Sequence, residues 1–195
     1  MSLLEYHIER RALIGPVSEC GDTGLAIEDG AACFFALVDV LGHGREAAQV
    51  ARLAEGFLRQ HAREPLPLLM ELLHERLRGT RGCVAALGRL NAETGALALV
   101  GIGNICVRIE GPEPARVILG DGVIGYTMST PREKAVRLHR GDLLLLYSDG
   151  IKEFFDLREC PGLLGQGIDE VAATILRRFG KASDDASCLA LRYAR

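Results

Sequence analysis

Four short acidic turns carry the residues best suited to chemistry: Gly21-Asp22, Val38-Asp39-Val40, Ser148-Asp149-Gly150 and Ser183-Asp184-Asp185. Each borders an apolar run of the kind that builds a core strand. Taken singly, an aspartate in a turn hydrogen-bonds its own backbone, and that bland reading is open for each of them. Taken together they would behave differently. Converging carboxylates repel, so they need cations, and an all-oxygen donor set selects hard ions such as Mg²⁺ or Mn²⁺. Two such ions can lower the pKa of a shared water and clamp a phosphoryl group for in-line displacement. Asp39 is the sharpest case: the apolar run 32–38 stops at it, Gly42-His43-Gly44 follows, and a helical segment begins. Spacing along the chain does not by itself bring the four turns to one place.

The segments that must position these acids read mainly as strands. Residues 4–14 partly alternate and open the chain as a strand, broken by Gly15-Pro16. Asp29-Gly30 marks a hairpin turn into the run that ends at Asp39. Over 45–62, Ala47, Val50, Ala51, Ala54, Phe57 and Leu58 recur at spacings of three and four, which predicts an amphipathic helix. Pro65 and Pro67 separate it from a second helix over 68–78, closed by Gly79.

From Gly82 the period becomes strand-like, with strands over 83–90, 96–102, 104–110 and 115–119. Val136 and Leu138 mark a half-exposed strand, and the run 143–147 a fully buried one leading to Ser148-Asp149-Gly150. A third helix over 168–179 and a closing strand over 186–193 complete the chain. Strands in adjacent runs, with a helix hairpin between two groups, favour an α+β layered sandwich over alternating βαβ winding. One domain over residues 1–195 is expected, with no room for a sensor domain beside it. The irregular stretch 120–132 is expected to serve substrate choice, through Tyr126, Met128 and Arg132, rather than the chemistry.

Composition closes off several classes. A net charge of −3, with both signs interspersed, excludes an electrostatic nucleic-acid binder. No apolar run approaches the roughly 18 residues that span a bilayer, so no membrane partner is expected. Met1-Ser2-Leu3-Leu4-Glu5 lacks the basic and long apolar regions of a signal peptide. Cys20, Cys33, Cys83, Cys106, Cys160 and Cys188 are scattered without paired CxxC spacing, which argues against zinc and for a reduced, cytoplasmic protein. Gly42-His43-Gly44 and Gly120-Asp121-Gly122 lack a P-loop lysine or a full GxGxxG, which weighs against nucleotide binding.

The ordered set made by Gly21-Asp22, Asp39-Val40-Leu41-Gly42-His43-Gly44 with Ala47-Ala48, the run 141–151 with Glu153, and Asp184-Asp185-Ala186-Ser187 resembles the protein phosphatase 2C superfamily. Its nearest likeness is to the bacterial branch typified by sporulation stage II protein E. The motifs span nearly the whole chain. The resemblance implies two packed antiparallel β-sheets flanked by helices, an α/β/β/α sandwich. It also implies a metal-dependent protein serine/threonine phosphatase working by attack of metal-bound hydroxide, without a phosphoenzyme.

Residue by residue, Asp39 resembles the carboxylate that bridges two Mn²⁺ or Mg²⁺ ions, and Val40 the position whose backbone carbonyl binds one of them. Asp149 and Asp184 resemble ligands of the other ion, and Asp22 the upstream acid that supports the site directly or through water. Asp39, Asp149 and Asp184 are thus the candidate catalytic set. Many family members carry glycine where Val40 stands, a change that a carbonyl ligand tolerates.

Other residues take lesser roles. His43 is read as ordering its turn, with proton donation as the alternative, Asp185 as a solvated or capping acid, with replacement of Asp184 as ligand as the alternative, and Glu153 as a supporting residue or the start of a short helix. Cys20 is read as incidental, and Arg10 and Arg11 as exposed strand arginines with a phosphate contact as the alternative. The short form resembles the RsbX-type feedback phosphatases, which implies phosphorylated stressosome scaffold proteins as partners. A phosphorylated anti-sigma-factor antagonist is the runner-up substrate, and a non-catalytic binding module is the rival of another class.

Overall fold

The computed structural model describes residues 4–194. The part of the leader reading that rests on Met1 to Leu3 lies outside the described residues. Strand β3 (Ala32–Val40) shows how the fold is built. Its side chains alternate between two apolar layers: Cys33, Phe35 and Leu37 face one, and Phe34, Ala36, Val38 and Val40 face the other. A strand buried on both faces needs no polar alternation, which is why its sequence reads as one apolar run.

β3 pairs with β2 (Asp22–Asp29) on one side and β4 (Cys83–Asn91) on the other. The sheet continues through β5 (Ala96–Ile102) to an edge strand, β10 (Lys134–Arg137), giving the order β10-β5-β4-β3-β2. A second five-stranded sheet is built from β1 (Leu4–Arg11), β6 (Cys106–Glu110), β7 (Ala115–Val117), β11 (Leu143–Tyr147) and β12 (Ala186–Tyr193), in the order β1-β12-β11-β6-β7. All the pairings within both sheets are antiparallel.

Between the sheets lies a shared layer, with Phe35, Leu37 and Leu99 from the first meeting Leu144, Leu146 and Leu189 from the second. Helices α1 (Arg45–Gln60) and α2 (Leu66–Arg76) cover the outer face of the first sheet. Ala47, Ala51 and Ala54 are fully or almost fully buried there, and their small size lets α1 lie close to the sheet. Helix α3 (Ile168–Phe179) covers the second sheet through Val171, Ile175 and Phe179. This is the expected α/β/β/α sandwich. Among the described residues no helix is long and apolar enough to cross a membrane.

The boundaries differ from expectation where tertiary bonds decide them. β1 stops at Arg11, because beyond it the Leu13 N–H turns to the Asp185 side chain instead of a neighbouring strand. Helix α2 starts at Leu66 rather than 68, since Pro67 falls in the first turn, where its missing N–H costs nothing. Within the stretch read as irregular, β8 (Gly122–Val123) and β9 (Thr127–Met128) form a small hairpin. Two-residue strands are too short to leave a period in the sequence. Reciprocal bonds between Cys83 and Ile124, of 3.1 and 2.8 Å, tie this hairpin to the start of β4.

Gly88 of β4 lies opposite Phe35 of β3, and a Cβ there would come within 2.2 Å of the Phe35 ring. Gly88→Ala should therefore overpack the shared layer and cost about 1–3 kcal/mol. Urea unfolding will read this as a lower midpoint with an unchanged slope.

Candidate metal centre

The alternation that buries Phe35 and Leu37 between the sheets puts Asp39 on the same face, one step further along. Asp39 lies at the strand end, as expected, and the ladder runs through it to Val40, because Asp39 still pairs with Asp22 and Val84. Asp22 is its register partner on β2 and is only 1 % exposed. Two acids thus face each other at the rim of the inter-sheet layer.

The second sheet answers with hydroxyls. Ser148 follows Leu144 and Leu146 in parity, and its Oγ donates to Asp22 Oδ2 at 2.6 Å across the gap between the sheets. The same Oγ accepts from the Ser187 N–H at 3.0 Å, so the serine is fixed from both sides. The Ser187 hydroxyl is buried nearby without a hydrogen bond of normal geometry. The Arg10 guanidinium donates to the Asp22 backbone carbonyl at 3.2 Å.

Next to Ser148, Asp149 leaves the strand and is exposed. Its Oδ2 accepts from Asn104 Nδ2 at 2.9 Å, from the turn between β5 and β6. Gly150 makes this turn possible: a Cβ would sit 1.8 Å from the Asp185 carbonyl oxygen, so only glycine fits. The two acidic loops, 148–151 and 181–186, therefore lie against each other, and Lys181 N donates to Gly150 O at 2.7 Å.

One cleft of about 520 Å³ gathers Asp39, Val40, Asp149 and Asp184, with Asp121 and Asn104 on its wall. Asp22 stands behind Asp39 and does not line it. The Val40 side chain is buried among the helix-side apolar residues, so its backbone is what reaches the cleft. Leu41, Val84 and Val123 provide apolar walls.

Adjacent residues have divided roles. Asp184 is half-buried at the cleft, whereas Asp185 is buried, and both of its oxygens accept backbone donors: Leu13 N at 2.6 Å and Gly21 N at 2.5 Å. The reading of Asp185 as solvated is corrected; it is a buried clamp. His43 is exposed in its turn and does not line the cleft. Glu153 is exposed, and its carbonyl accepts from the Tyr147 hydroxyl at 2.9 Å.

Arg10 and Arg11 are half-buried and bonded to the backbone carbonyls of Asp22 and Lys181, which corrects their reading as exposed strand arginines. Burial and the nearby Asp22 push the Cys20 thiol up to about 12, which leaves it unreactive as read. Sequence reading assigned no role to Ser148, Asn104 or Asp121. The first carried a usable signal, because period two puts it on the face of Leu144 and Leu146. Asn104 and Asp121 sit in turns where no period speaks.

Burial raises Asp39 far above the ordinary carboxylate range, and the charges of Asp22, Asp149 and Asp184 add to it. Burial raises Asp22 less, since the Ser148 and Ser187 hydroxyls beside it and its bond with Asp39 pull it back. Both acids of the facing pair are thus raised, and the pair holds a proton more readily than free carboxylates do. Such a set favours a positive charge from elsewhere. The donors are all oxygen, which suits Mg²⁺ or Mn²⁺. Among the described residues no three His, Cys, Asp or Glu side chains form a ready cage around one point. The residues present fit divalent cations.

The family profile described as stage II sporulation protein E (SpoIIE) matches residues 29–194. A comparison with curated proteins by sequence gives no match. Among solved structures, a chain from work on the bacterial stressosome as a modular system adapted to control secondary messenger signalling is 32% identical, with a TM-score of 0.88 over 97% of this chain and 99% of that one. RsbX in complex with magnesium is 18% identical, with a TM-score of 0.82 over 96% and 94% of the two chains. The PP2C phosphatase domain of SpoIIE from Bacillus subtilis, with a fragment of its regulatory domain, is 19% identical, with a TM-score of 0.71 over 97% and 63%. The last two are likenesses of fold.

The pKa shifts have a sign that can be tested. Asp39 holds its proton more tightly folded than unfolded, so its contribution to stability is full below the ordinary carboxylate pKa and is lost as pH rises through the neutral range. Metal-free protein should melt at a falling temperature between about pH 5 and pH 9, and Asp39→Asn should flatten that slope. A slope unchanged in the variant would remove Asp39 as its cause. Asp185→Ala should instead cost about 2–3 kcal/mol at any metal concentration, since it orphans two backbone donors, that of Gly21 buried and that of Leu13 half-buried. Urea denaturation checks that figure.

Proposed function

The chain belongs to the stage II sporulation protein E family, and on that premise we propose that it removes phosphate from serine or threonine of stressosome scaffold proteins in the bacterial cytoplasm. The family consists of metal-dependent protein serine/threonine phosphatases of the protein phosphatase 2C type, and this chain is one of them, acting on phosphoproteins in bacterial signalling. Support for the site comes above all from one observation: Asp39, Asp149 and Asp184 meet in a single cleft with Asp22 directly behind Asp39. The scaffold as substrate is supported by the 32% identity to a chain solved in stressosome work and by the likeness in fold to RsbX.

In this reading the Asp39 carboxylate, the Val40 carbonyl, Asp149 and Asp184 would together hold two cations, Mn²⁺ or Mg²⁺. When bound, the ions lower the pKa of water and neutralise the phosphoryl oxygens. The chain's own residues prepare for this. Ser148 holds Asp22 behind Asp39 and so limits where the bridging carboxylate can go. Asn104 occupies one oxygen of Asp149 and leaves the other without a hydrogen bond among the described residues. Leu41, Val84 and Val123 limit bulk water at the walls. One domain carries all of these parts.

Three measurements test the reading. Hydrolysis of p-nitrophenyl phosphate should require Mn²⁺ or Mg²⁺ and vanish in excess chelator. Asp39→Asn should lose more than the ~10–100-fold that removing an outer support of a ligand costs. Full activity of that variant would overturn the two-cation site, and no activity under any metal would favour a binding module.

Asp184→Asn should weaken Mn²⁺ affinity by calorimetry while the fold keeps its urea midpoint. The reverse pattern would exchange the roles of Asp184 and Asp185. For the partner, equal amounts of phosphorylated scaffold and phosphorylated anti-sigma-factor antagonist are incubated together, and phosphate loss is followed by mass spectrometry. Preference for the antagonist would replace the scaffold as substrate.

A further inference from the structure

Beside the carboxylate cleft lies a second hollow, of about 330 Å³, and Asp121 lines both. Its lining is of a different character. Where the cleft offers acids, the hollow offers two cations, Arg132 and Lys134, with the hydroxyls of Ser129 and Thr130. Its walls are tied down: Gly120 N donates to Gly101 O at 2.9 Å, and Ser129 N to Asp121 O at 2.9 Å. Pro131 is buried directly before Arg132 and fixes the backbone from which that side chain springs.

The two cations are in different states. The Lys134 ammonium donates to the Ile118 carbonyl, which holds it at the hollow with two donors left over. Arg132 is exposed and has neither a hydrogen bond nor an ion pair among the described residues. Many other arginines here are spent, as Arg45 is on Glu19, Arg59 on Glu55 and Arg81 on Glu46. An unspent guanidinium presents a planar fork that matches a carboxylate in two bonds.

We propose that this hollow is an anion subsite that receives an acidic side chain of the phosphoprotein, close in sequence to the phosphoserine or phosphothreonine held at the cleft. The proposal rests on the phosphatase reading and adds a rule of substrate choice to it. An acidic segment nearing the cleft would be repelled by Asp121, Asp149 and Asp184, and Arg132 with Lys134 offsets that repulsion one wall away. An extended peptide advances ~3.3 Å per residue, so a hollow that shares a wall with the cleft is about one to three residues from the phosphorylated position.

The test uses phosphoserine peptides with Glu, Gln or Lys at each of the three positions on either side, assayed with Mn²⁺ on the wild type, Arg132→Ala and Arg132→Glu. The quantity read is the ratio of kcat/KM for the Glu peptide to that for the Lys peptide, in which any general loss of activity cancels. The wild type should favour Glu by about tenfold at one position, the worth of a single charge-assisted contact. That ratio should fall to about one in Arg132→Ala and invert in Arg132→Glu. A wild type indifferent to flanking charge, or a ratio untouched by either variant, overturns the subsite while the phosphatase reading stands. If no peptide is hydrolysed at all, the phosphatase reading fails, and fluorescence anisotropy of the same peptides on the Mn²⁺-loaded protein decides the subsite. Tighter binding of the Glu peptide that depends on Arg132 upholds it, and equal binding removes it.

Discussion

Asp22 and Asp39 face each other across one rung of a β-ladder, and the surrounding structure is arranged to make that tolerable. Like charges directly opposite in a sheet are destabilising, and here one of them is also nearly sealed from water. The chain supplies a hydroxyl from the opposite sheet to one oxygen of Asp22 and a guanidinium to its backbone carbonyl, and burial with the repulsion left over raises the affinity of both acids for a proton. What holds the acids together is the apolar layer behind them, where Phe35, Leu37, Leu144 and Leu146 lock the two sheets face to face. A rim prepared in this way has already met the cost of gathering negative charge before any cation arrives, which is what preorganisation means for a metal site.

Parity is the device that separates the framework from the chemistry. Along β3, odd-numbered residues from Cys33 to Leu37 fill the inter-sheet layer and the next odd position is Asp39, the acid at the cleft. After β11 the even positions Leu144 and Leu146 are followed by Ser148, which buttresses, and its neighbour Asp149 turns out to the cleft. Just before β12, Asp184 lies at the cleft and Asp185 turns into the protein. Each catalytic candidate thus has a structural partner one residue or one rung away.

Much of this was legible in the sequence, for reasons that can be named. The strands at 96–102, 143–147 and 186–193 and the helix at 168–179 have the observed limits, because apolar runs bounded by Gly, Asn and Asp leave little choice of ends. The acids were visible as carboxylates at strand ends. Their convergence was not, because it depends on how two sheets stack, and it was supplied by resemblance. Asn104 escaped notice since its bond to Asp149 joins turns 45 residues apart. The burial of Asp185 was hidden for a similar reason: its donors, Leu13 and Gly21, come from the far end of the chain. Periodicity reports which face a residue takes, and long-range side-chain bonds leave no period.

The loop that carries Asp184 and Asp185 looks like an ordinary surface connection, the kind of segment in which length usually drifts freely. The neighbouring glycine, with no clearance against the Asp185 backbone, and the two backbone donors gripped by the Asp185 carboxylate change that. Adding or deleting one residue here would move the reading frame of side chains by one. The gripping acid would be thrust into the cleft, and the cleft acid drawn beneath the sheet. Evolution can therefore vary the composition of this connection at its exposed positions, such as Lys181 and Ser183, far more readily than its length. Among its kin, the spacing between α3 and β12 should be edited by compensated pairs of insertions and deletions lying before Asp184, never between it and the strand.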